Sequence, residues 1–570
     1  MRDSLTIVIG GEAGQGLATV GELLSRILTR AGHNFLTFQG YHSRIRGGHN
    51  TFALKISPAP LAGPEDGADL VLSLNEETDV ADSPRLRPGG LLLACGPDAR
   101  APEGVAALPV PYAELSAPRE QNLVALGLLT AALALPLAEA AEEVDRLFKD
   151  KGGDKPLAAF KSGYYWAEDK ISGQYAVSPA APGHPPRLVI NGNEALALGA
   201  AAGGVNFCSF YPMSPATTVS LSLADWAAQA GLVVEQAEDE IAAINMALGA
   251  AYGGASALVG TSGGGFALMC EGVSLAAMIE TPVVIAIVQR PGPATGLPTR
   301  TEQGDLNLAL YSGHGEFPRA ILAPSSTEEC FTLAARAAHL AEESQGPVFI
   351  LSDQFLADCT RPVPPFDFAA LPPPVDTAEA HRVAETALQP GQPYQRYRDD
   401  LPGGLSPRLL PGFSDHLVPA DSDEHDADGH LTEDLAWRVR MQDKRMRKMG
   451  ALREQALAPD YQGDGQPDVL LVSWGSTKGA ALEALNLLAG RGEKAALLHF
   501  NQLYPLRPED WLPRLEAARR VVFVEGNATG QFAQLVRGEC GFAPAQCVLR
   551  YDGLPLTAAY ILDALEVPHA

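Results

Sequence analysis

The amino-acid sequence predicts an α/β protein built on three open, mainly parallel sheets. Three observations carry this. Short apolar runs alternate with amphipathic, Ala- and Leu-rich stretches over most of the chain, the pattern of strands separated by crossover helices. Val283-Val284-Ile285-Ala286-Ile287-Val288 is apolar without interruption, as expected of a central parallel strand covered on both faces. A Pro-, Asp- and Arg-rich stretch then sets a last strand–helix alternation apart from the rest. With 570 residues the chain is too long for one core, and three or four domains are expected.

The elements follow in order. Residues 5–9 read as a strand, 10–16 as a glycine loop and 18–30 as an amphipathic helix. Strands at 69–74 and 90–95 and a helical stretch over 121–149 complete a first domain, 1–180, closed by a Pro- and Gly-rich linker over about 178–186. The second domain, 187–361, has strands at 257–260, 283–289 and 348–352 with Ala-rich helices between them. Residues 362–462 show no clear periodicity and are too many for a free loop, so an extended connector wrapping a neighbour is expected. The third domain, 463–570, has buried strands at 469–473, 495–499 and 521–524 and helices at 477–491 and 508–518.

Composition narrows the function classes. A formal net charge of −26 argues against a nucleic-acid partner, because phosphate binding needs a basic footprint. The sequence shows neither a signal peptide nor an apolar run long enough to span a bilayer, so a cytoplasmic protein without membrane contact is expected. Cys95, Cys208, Cys270, Cys330, Cys359, Cys540 and Cys547 are scattered, with no CxxC and no ligand spacing. The expectation is seven reduced thiols and no metal or iron–sulfur centre in this chain.

Two glycine-containing motifs stand in the first domain. Gly10-Gly11-Glu12-Ala13-Gly14-Gln15-Gly16 follows a strand and opens a helix, where glycines let backbone approach a phosphate. The spacing is wrong for a dinucleotide fingerprint, and Phe35-Leu36-Thr37-Phe38-Gln39 supplies no ribose-binding acid. A structural tight turn and an anion site both fit. Ser43-Arg44-Ile45-Arg46-Gly47-Gly48-His49 likewise suits either a phosphate cradle or an ion-paired corner.

Four segments of the second domain fit one active site. Tyr211-Pro212-Met213-Ser214-Pro215 presents Ser214 on a turn stiffened by two prolines. Glu238-Asp239-Glu240 precedes a helix, 241–252, that is apolar nearly all round and therefore expected to be buried, against another chain. Thr261-Ser262-Gly263-Gly264-Gly265 reads as a glycine-rich turn after a strand. Gln289-Arg290-Pro291-Gly292-Pro293 ends the strongest strand and runs on to Thr299 and Asp305. Ligands of open α/β sheets sit at that edge, and an arginine there suits a carboxylate.

Taken together, YPMSPAT, EDEIAAINMALGAAYGG, TSGGGFALM and QRPGPATGLPTRTEQGDL resemble the alpha subunit of 2-oxoacid:ferredoxin oxidoreductases, in the 2-oxoglutarate form with a gamma domain fused ahead of alpha. The resemblance extends to residues 11–16, 44–48, 406–408 and 425–434 and to the third domain, nearly the whole chain. It implies a gamma domain, a thiamine-pyrimidine-type domain and a transketolase C-terminal-like domain. Glu240 matches the glutamate that hydrogen-bonds N1′ of thiamine diphosphate. Arg290 would hold the 2-oxoacid carboxylate, and Ser214 (threonine in many relatives) and Thr299 would bond substrate oxygens. Tyr211, Pro212, Thr261, Ser262 and Gly263 would line the cofactor.

The resemblance further implies a beta subunit carrying the diphosphate, its Mg²⁺ and a [4Fe–4S] cluster. Ferredoxin as electron partner and an (αβ)₂ heterotetramer come with it, as does coenzyme A on the gamma domain, near Gly14, Gly16, Arg44 and Arg46. The expected reaction is CoA-acylating oxidative decarboxylation of 2-oxoglutarate, or its reverse, carboxylation of succinyl-CoA. Rival readings are pyruvate or branched 2-oxoacids, a non-redox transketolase- or decarboxylase-like subunit, and a non-catalytic CoA-binding or assembly subunit.

Overall fold

The computed structural model describes all residues except 1–2, 41–46, 150–153, 180–184, 387, 389–393 and 567–570. Its first sheet has six strands in the order Asn34–Gly40, Gly47–Ser57, Leu5–Ala13, Ala68–Ser73, Leu86–Ala94 and Ala106–Pro109. The last four pair in parallel; the pairs joining Gly47–Ser57 to its two neighbours are antiparallel. The expected glycine loop at 10–16 begins later than predicted. The strand runs on to Ala13 because Gly10, Gly11 and Glu12 pair with Thr51, Asn50 and His49, leaving the turn to Gly14–Gly16. Gly10 is there for packing, since a Cβ would collide with Thr78. The helical stretch over 121–149 is two helices, Gln121–Ala132 and Leu137–Phe148, separated at Pro136. A third, Lys155–Ile171, follows.

The second sheet has seven strands, in the order Gln502–Tyr504, Ala320–Leu322, Pro347–Asp353, Val283–Gln289, Ala257–Thr261, Phe207–Phe210 and Val233–Gln236. All pair in parallel except Gln502–Tyr504, which crosses from the third block to close one edge. Val283–Gln289 stands at the centre with every residue buried, as its apolar run requires. The third sheet has five strands, Asp460–Gly463, Ala495–Phe500, Val469–Trp474, Arg520–Glu525 and Gln546–Leu549, with only the first antiparallel. One continuous apolar cluster joins the second and third sheets, including Phe266, Ile285 and Leu306 from one and Trp474, Phe500 and Phe532 from the other.

The connector is partly helical, although no periodicity marks it in the sequence. It contains the helices Thr377–Thr386 and Leu435–Glu454, and it clasps the helices of its own chain's second sheet. Arg408 Nη2 donates to both carboxylate oxygens of Glu342, at 2.7 and 2.8 Å, and Nη1 donates to the Ala251 carbonyl at 3.0 Å, fixing the end of the helix Glu240–Tyr252. Lys444 and Lys448 from Leu435–Glu454 reach Glu280. No helix among the described residues is long and apolar enough to cross a membrane.

Candidate active site

Four neighbouring strands of the second sheet deliver the four segments to one edge. Phe207–Phe210 leads into Tyr211–Thr217, Val233–Gln236 into Glu240, Ala257–Thr261 into Ser262, and Val283–Gln289 into Arg290. Parallel strands put all these ends on the carboxyl side, which is why segments up to about eighty residues apart in sequence share a site.

Glu240 is the first residue of its helix and is buried at 3% exposure. Asp239, not Glu240, caps the helix, its Oδ1 accepting from Ala242 N at 2.7 Å. Glu240 is thereby free of capping, and its Oε1 is buried with no hydrogen-bond partner among the described residues. The carboxylate lies over Gly265, where a Cβ would meet Oε1 at 2.5 Å. A side chain at Gly265 would therefore displace Glu240 or Thr261. Contrary to a plain turn, Gly263–Leu268 is a short helix opening at Ser262, whose own Oγ is also buried without a partner. Within this chain the helix is buried on one side only: Ile241, Asn245, Met246 and Gly249 face outward.

Arg290 and Ser214 meet directly. Arg290 Nη1 donates to the Ser214 carbonyl at 2.6 Å, leaving the Ser214 hydroxyl on an exposed turn. That turn carries a cis Ser214–Pro215 bond and is anchored by Asn193, whose Nδ2 donates to Pro215 O at 2.9 Å and to Thr218 Oγ1 at 2.6 Å. Tyr211 and Pro212 are exposed on the same turn, whereas Thr261, Ser262 and Gly263 are buried at the next strand end. Thr299 is buried in the loop that follows Arg290.

The structure adds Asp305 to this group. Its amide donates to Gln289 Oε1 at 3.0 Å, its Oδ2 is buried without a partner, and a Cβ at Gly263 would collide with Oδ1. Burial, together with repulsion from Glu302, pushes its carboxyl up to about 7 against the pull of Arg290. Burial correspondingly lowers Arg290, with Asp305 opposing. Gln289 and Asp305 both stand in the motif quoted from the sequence. The available signal was a lone amide closing an otherwise apolar strand, which has to find a polar partner once buried.

Asp305 has a stability consequence. A carboxyl raised from 3.8 to about 7 favours the folded state fully below about pH 4 and loses that contribution as pH rises towards 7. Asp305→Asn is expected to remove this dependence and to be the more stable protein at pH 8, by at most roughly 4 kcal/mol at 1.4 kcal/mol per pK unit. Urea unfolding of both proteins at pH 5 and 8 checks it.

The first-sheet residues stand apart. Gly14 and Gly16 line a cleft of about 270 Å³ with Gln15, Arg119 and Asn122. At Gly16, φ is +79° and a Cβ would collide with the Asn122 amide, so the turn needs glycine twice over. Arg44 and Arg46 lie outside the described residues. The residues flanking them, Gly40 and His49, line a larger cleft of about 420 Å³ where all three blocks meet, together with Arg85 and Arg300.

Residues 198–443 match the thiamine-diphosphate-binding family of pyruvate flavodoxin/ferredoxin oxidoreductases, and 6–166 the pyruvate ferredoxin/flavodoxin oxidoreductase family. The alpha subunit of 2-oxoacid:ferredoxin oxidoreductase 1 from Aeropyrum pernix is 32% identical over 99% of this chain and 97% of its own. The 2-oxoglutarate oxidoreductase subunit KorA of Mycobacterium tuberculosis is 29% identical over 98% and 90%. Among solved structures, 2-oxoglutarate:ferredoxin oxidoreductase from Magnetococcus marinus, with 2-oxoglutarate, coenzyme A and succinyl-CoA bound, superposes with a TM-score of 0.91 at 30% identity, covering 99% of both chains. The chain belongs to the alpha subunits of the 2-oxoacid:ferredoxin oxidoreductases, a thiamine-diphosphate-dependent family of oxidoreductases.

Proposed function

We propose that the chain forms the pyrimidine half of the active site in an enzyme that oxidatively decarboxylates 2-oxoglutarate to succinyl-CoA, passing two electrons singly to ferredoxin, or that runs the reverse carboxylation. The observation that carries the reading is the buried, unpartnered Glu240 Oε1 above Gly265, at the same sheet edge as Arg290. An ionisable oxygen withdrawn from water without a partner is costly, and a ring nitrogen of the thiamine aminopyrimidine is a partner that fits it. When bound, thiamine diphosphate supplies the nucleophilic carbon and the electron sink for decarboxylation.

The chain's own residues would do the rest. Glu240 Oε1 shares a proton with the aminopyrimidine ring, and Arg290 binds the 2-oxoacid carboxylate. Ser214 and Thr299 hydroxyls orient the substrate oxygens, while Tyr211, Pro212, Thr261, Ser262 and Gly263 shape the ring's seat. The diphosphate, Mg²⁺ and [4Fe–4S] cluster are assigned to a beta subunit in an (αβ)₂ assembly. Exposed apolar side chains on the site-bearing elements (Ile241, Met246, Leu268 and Leu297) support such a cover. In this division 1–180 is a CoA-binding gamma domain, 187–361 the pyrimidine domain, 362–462 its connector and 463–570 the transketolase-like domain. Coenzyme A is assigned near Gly14, Gly16, Arg44 and Arg46.

2-Oxoglutarate is favoured over pyruvate by the relatives named for it, the Mycobacterium tuberculosis subunit and the Magnetococcus marinus enzyme. The test is a panel of 2-oxoacids assayed with CoA and a viologen acceptor on the complex with its partner subunit. Highest kcat/KM on 2-oxoglutarate is expected, and a preference for pyruvate would contradict the substrate assignment. Arg290→Met should raise KM for the 2-oxoacid roughly ten- to a hundredfold, the loss expected for one charge-assisted hydrogen bond. Steady-state kinetics on the same complex measures this.

A further inference from the structure

The loop from Thr299 to Asp305 follows a strand of the second sheet but is held from the third. Gln303, 2% exposed, is the hub. Its amide donates to Gly526 O at 2.6 Å, its Oε1 accepts from Gly526 N at 2.8 Å, and its Nε2 donates to Trp474 O at 2.9 Å. Asn527 Nδ2 donates to the Gln303 carbonyl at 3.2 Å. Gln531 Nε2 donates to Gly304 O at 2.8 Å, and its Oε1 accepts from Asn307 N at 2.9 Å. On the other flank, the Thr301 amide donates to Gly553 O at 3.2 Å.

The groups that grip the loop are themselves fixed. The fully buried Glu525 carboxylate accepts from Asn527 Nδ2 at 2.9 Å, Trp474 Nε1 at 3.2 Å, and the Phe532 and Ala533 amides at 2.9 Å each. The two sheets already share an apolar core, so these polar clamps are not needed merely to join them. They fall on the loop that carries Thr299 and Asp305.

We propose that Gln303 is a positioning residue. With Asn527 and Gln531 it holds Thr299 and Asp305 in register with Arg290, so that the third sheet sets affinity for the 2-oxoacid as well as assembly. The proposal rests on the 2-oxoacid reading above. Loosening a substrate-positioning loop by an ångström can cost about a hundredfold in rate.

The test compares Gln303→Met, which keeps side-chain volume and loses both side-chain bonds, with Gln303→Glu, which keeps the acceptor for Gly526 N. Both are made in the full complex with its partner subunit, and rates are normalised to assembled complex. For Gln303→Met the expected result is a KM for the 2-oxoacid raised roughly tenfold or more, with thiamine diphosphate affinity within about twofold of wild type. Gln303→Glu should lie between the two. Gln531→Ala, at a half-buried position, should shift KM in the same direction, and it carries the test should Gln303→Met fail to assemble. A wild-type KM in an assembled variant, or a loss confined to the amount of complex formed, overturns the positioning role alone. A wild-type complex inactive on every 2-oxoacid overturns the underlying reading and the proposal with it.

Discussion

Glu240→Ala is expected to lower kcat by at least about a thousandfold while the complex still assembles. Proton sharing by a positioned side chain is worth about 10²–10⁴ in rate, and this residue would also anchor the cofactor ring. Folding should be spared for two reasons found in the structure. The helix Glu240–Tyr252 is capped by Asp239, so its start does not depend on Glu240. The Oε1 atom makes no hydrogen bond among the described residues, so truncation removes an unsatisfied buried oxygen rather than a contact. Viologen reduction under saturating 2-oxoacid and CoA, with gel filtration of the same sample, checks both halves.

The largest stability effect is expected at Glu280. Its side chain is fully buried, with Lys444 Nζ at 2.5 and 2.6 Å from its two oxygens and Lys448 Nζ at 2.7 Å. Arg396 donates to its backbone carbonyl at 2.7 Å, and its φ of +49° is a conformation that only such surroundings hold. Burial alone would raise this carboxyl, but Lys448, Lys444 and Arg396 outweigh it and hold it well below the ordinary range. Glu280→Gln leaves two ammonium groups buried without a counter-charge and should cost about 3–5 kcal/mol.

Adding Lys444→Met should recover part of that loss, because an apolar replacement needs no partner. For the wild-type pair the sign is that of a depressed acid. The contribution is complete above the unfolded carboxyl value near 4.5 and is lost as pH falls towards the folded one. Urea midpoints and limited proteolysis of the connector report the effect.

These same residues show where sequence reading stops. The strands Val283–Gln289, Val469–Trp474 and Ala495–Phe500 were legible within a residue, because parallel strands covered on both faces must be apolar throughout. The helix Leu435–Glu454 was not. Its buried face is Met441, Lys444, Arg445, Lys448 and Leu452, a helical spacing written largely in charged residues. A reading based on apolar periodicity passes over it, because the burial is compensated by carboxylates outside the helix, Glu424 just ahead of it and Glu280 far away in sequence. The short strand Val233–Gln236, mostly exposed along one edge, was also missed.

That the segments carrying Glu240, Ser214 and Arg290 fit one sheet edge was legible from their positions after strands, and the sheet topology brings their ends together. Asp305 and Gln303 were not, although both were in view. Their roles depend on what faces them: Gly263 and Gln289 for Asp305, and the end of a strand more than two hundred residues away for Gln303. A single chain read in order does not contain those pairings.

The central claim is that this chain supplies half of a thiamine-dependent active site and turns over 2-oxoacids only with a partner. The most direct measurement is CoA-dependent viologen reduction by 2-oxoglutarate, made on the purified chain alone, on the chain with its partner subunit, and on that complex carrying Glu240→Ala. Turnover in the wild-type complex only is the predicted result. Turnover by the isolated chain, or wild-type rates with Glu240→Ala, would contradict it.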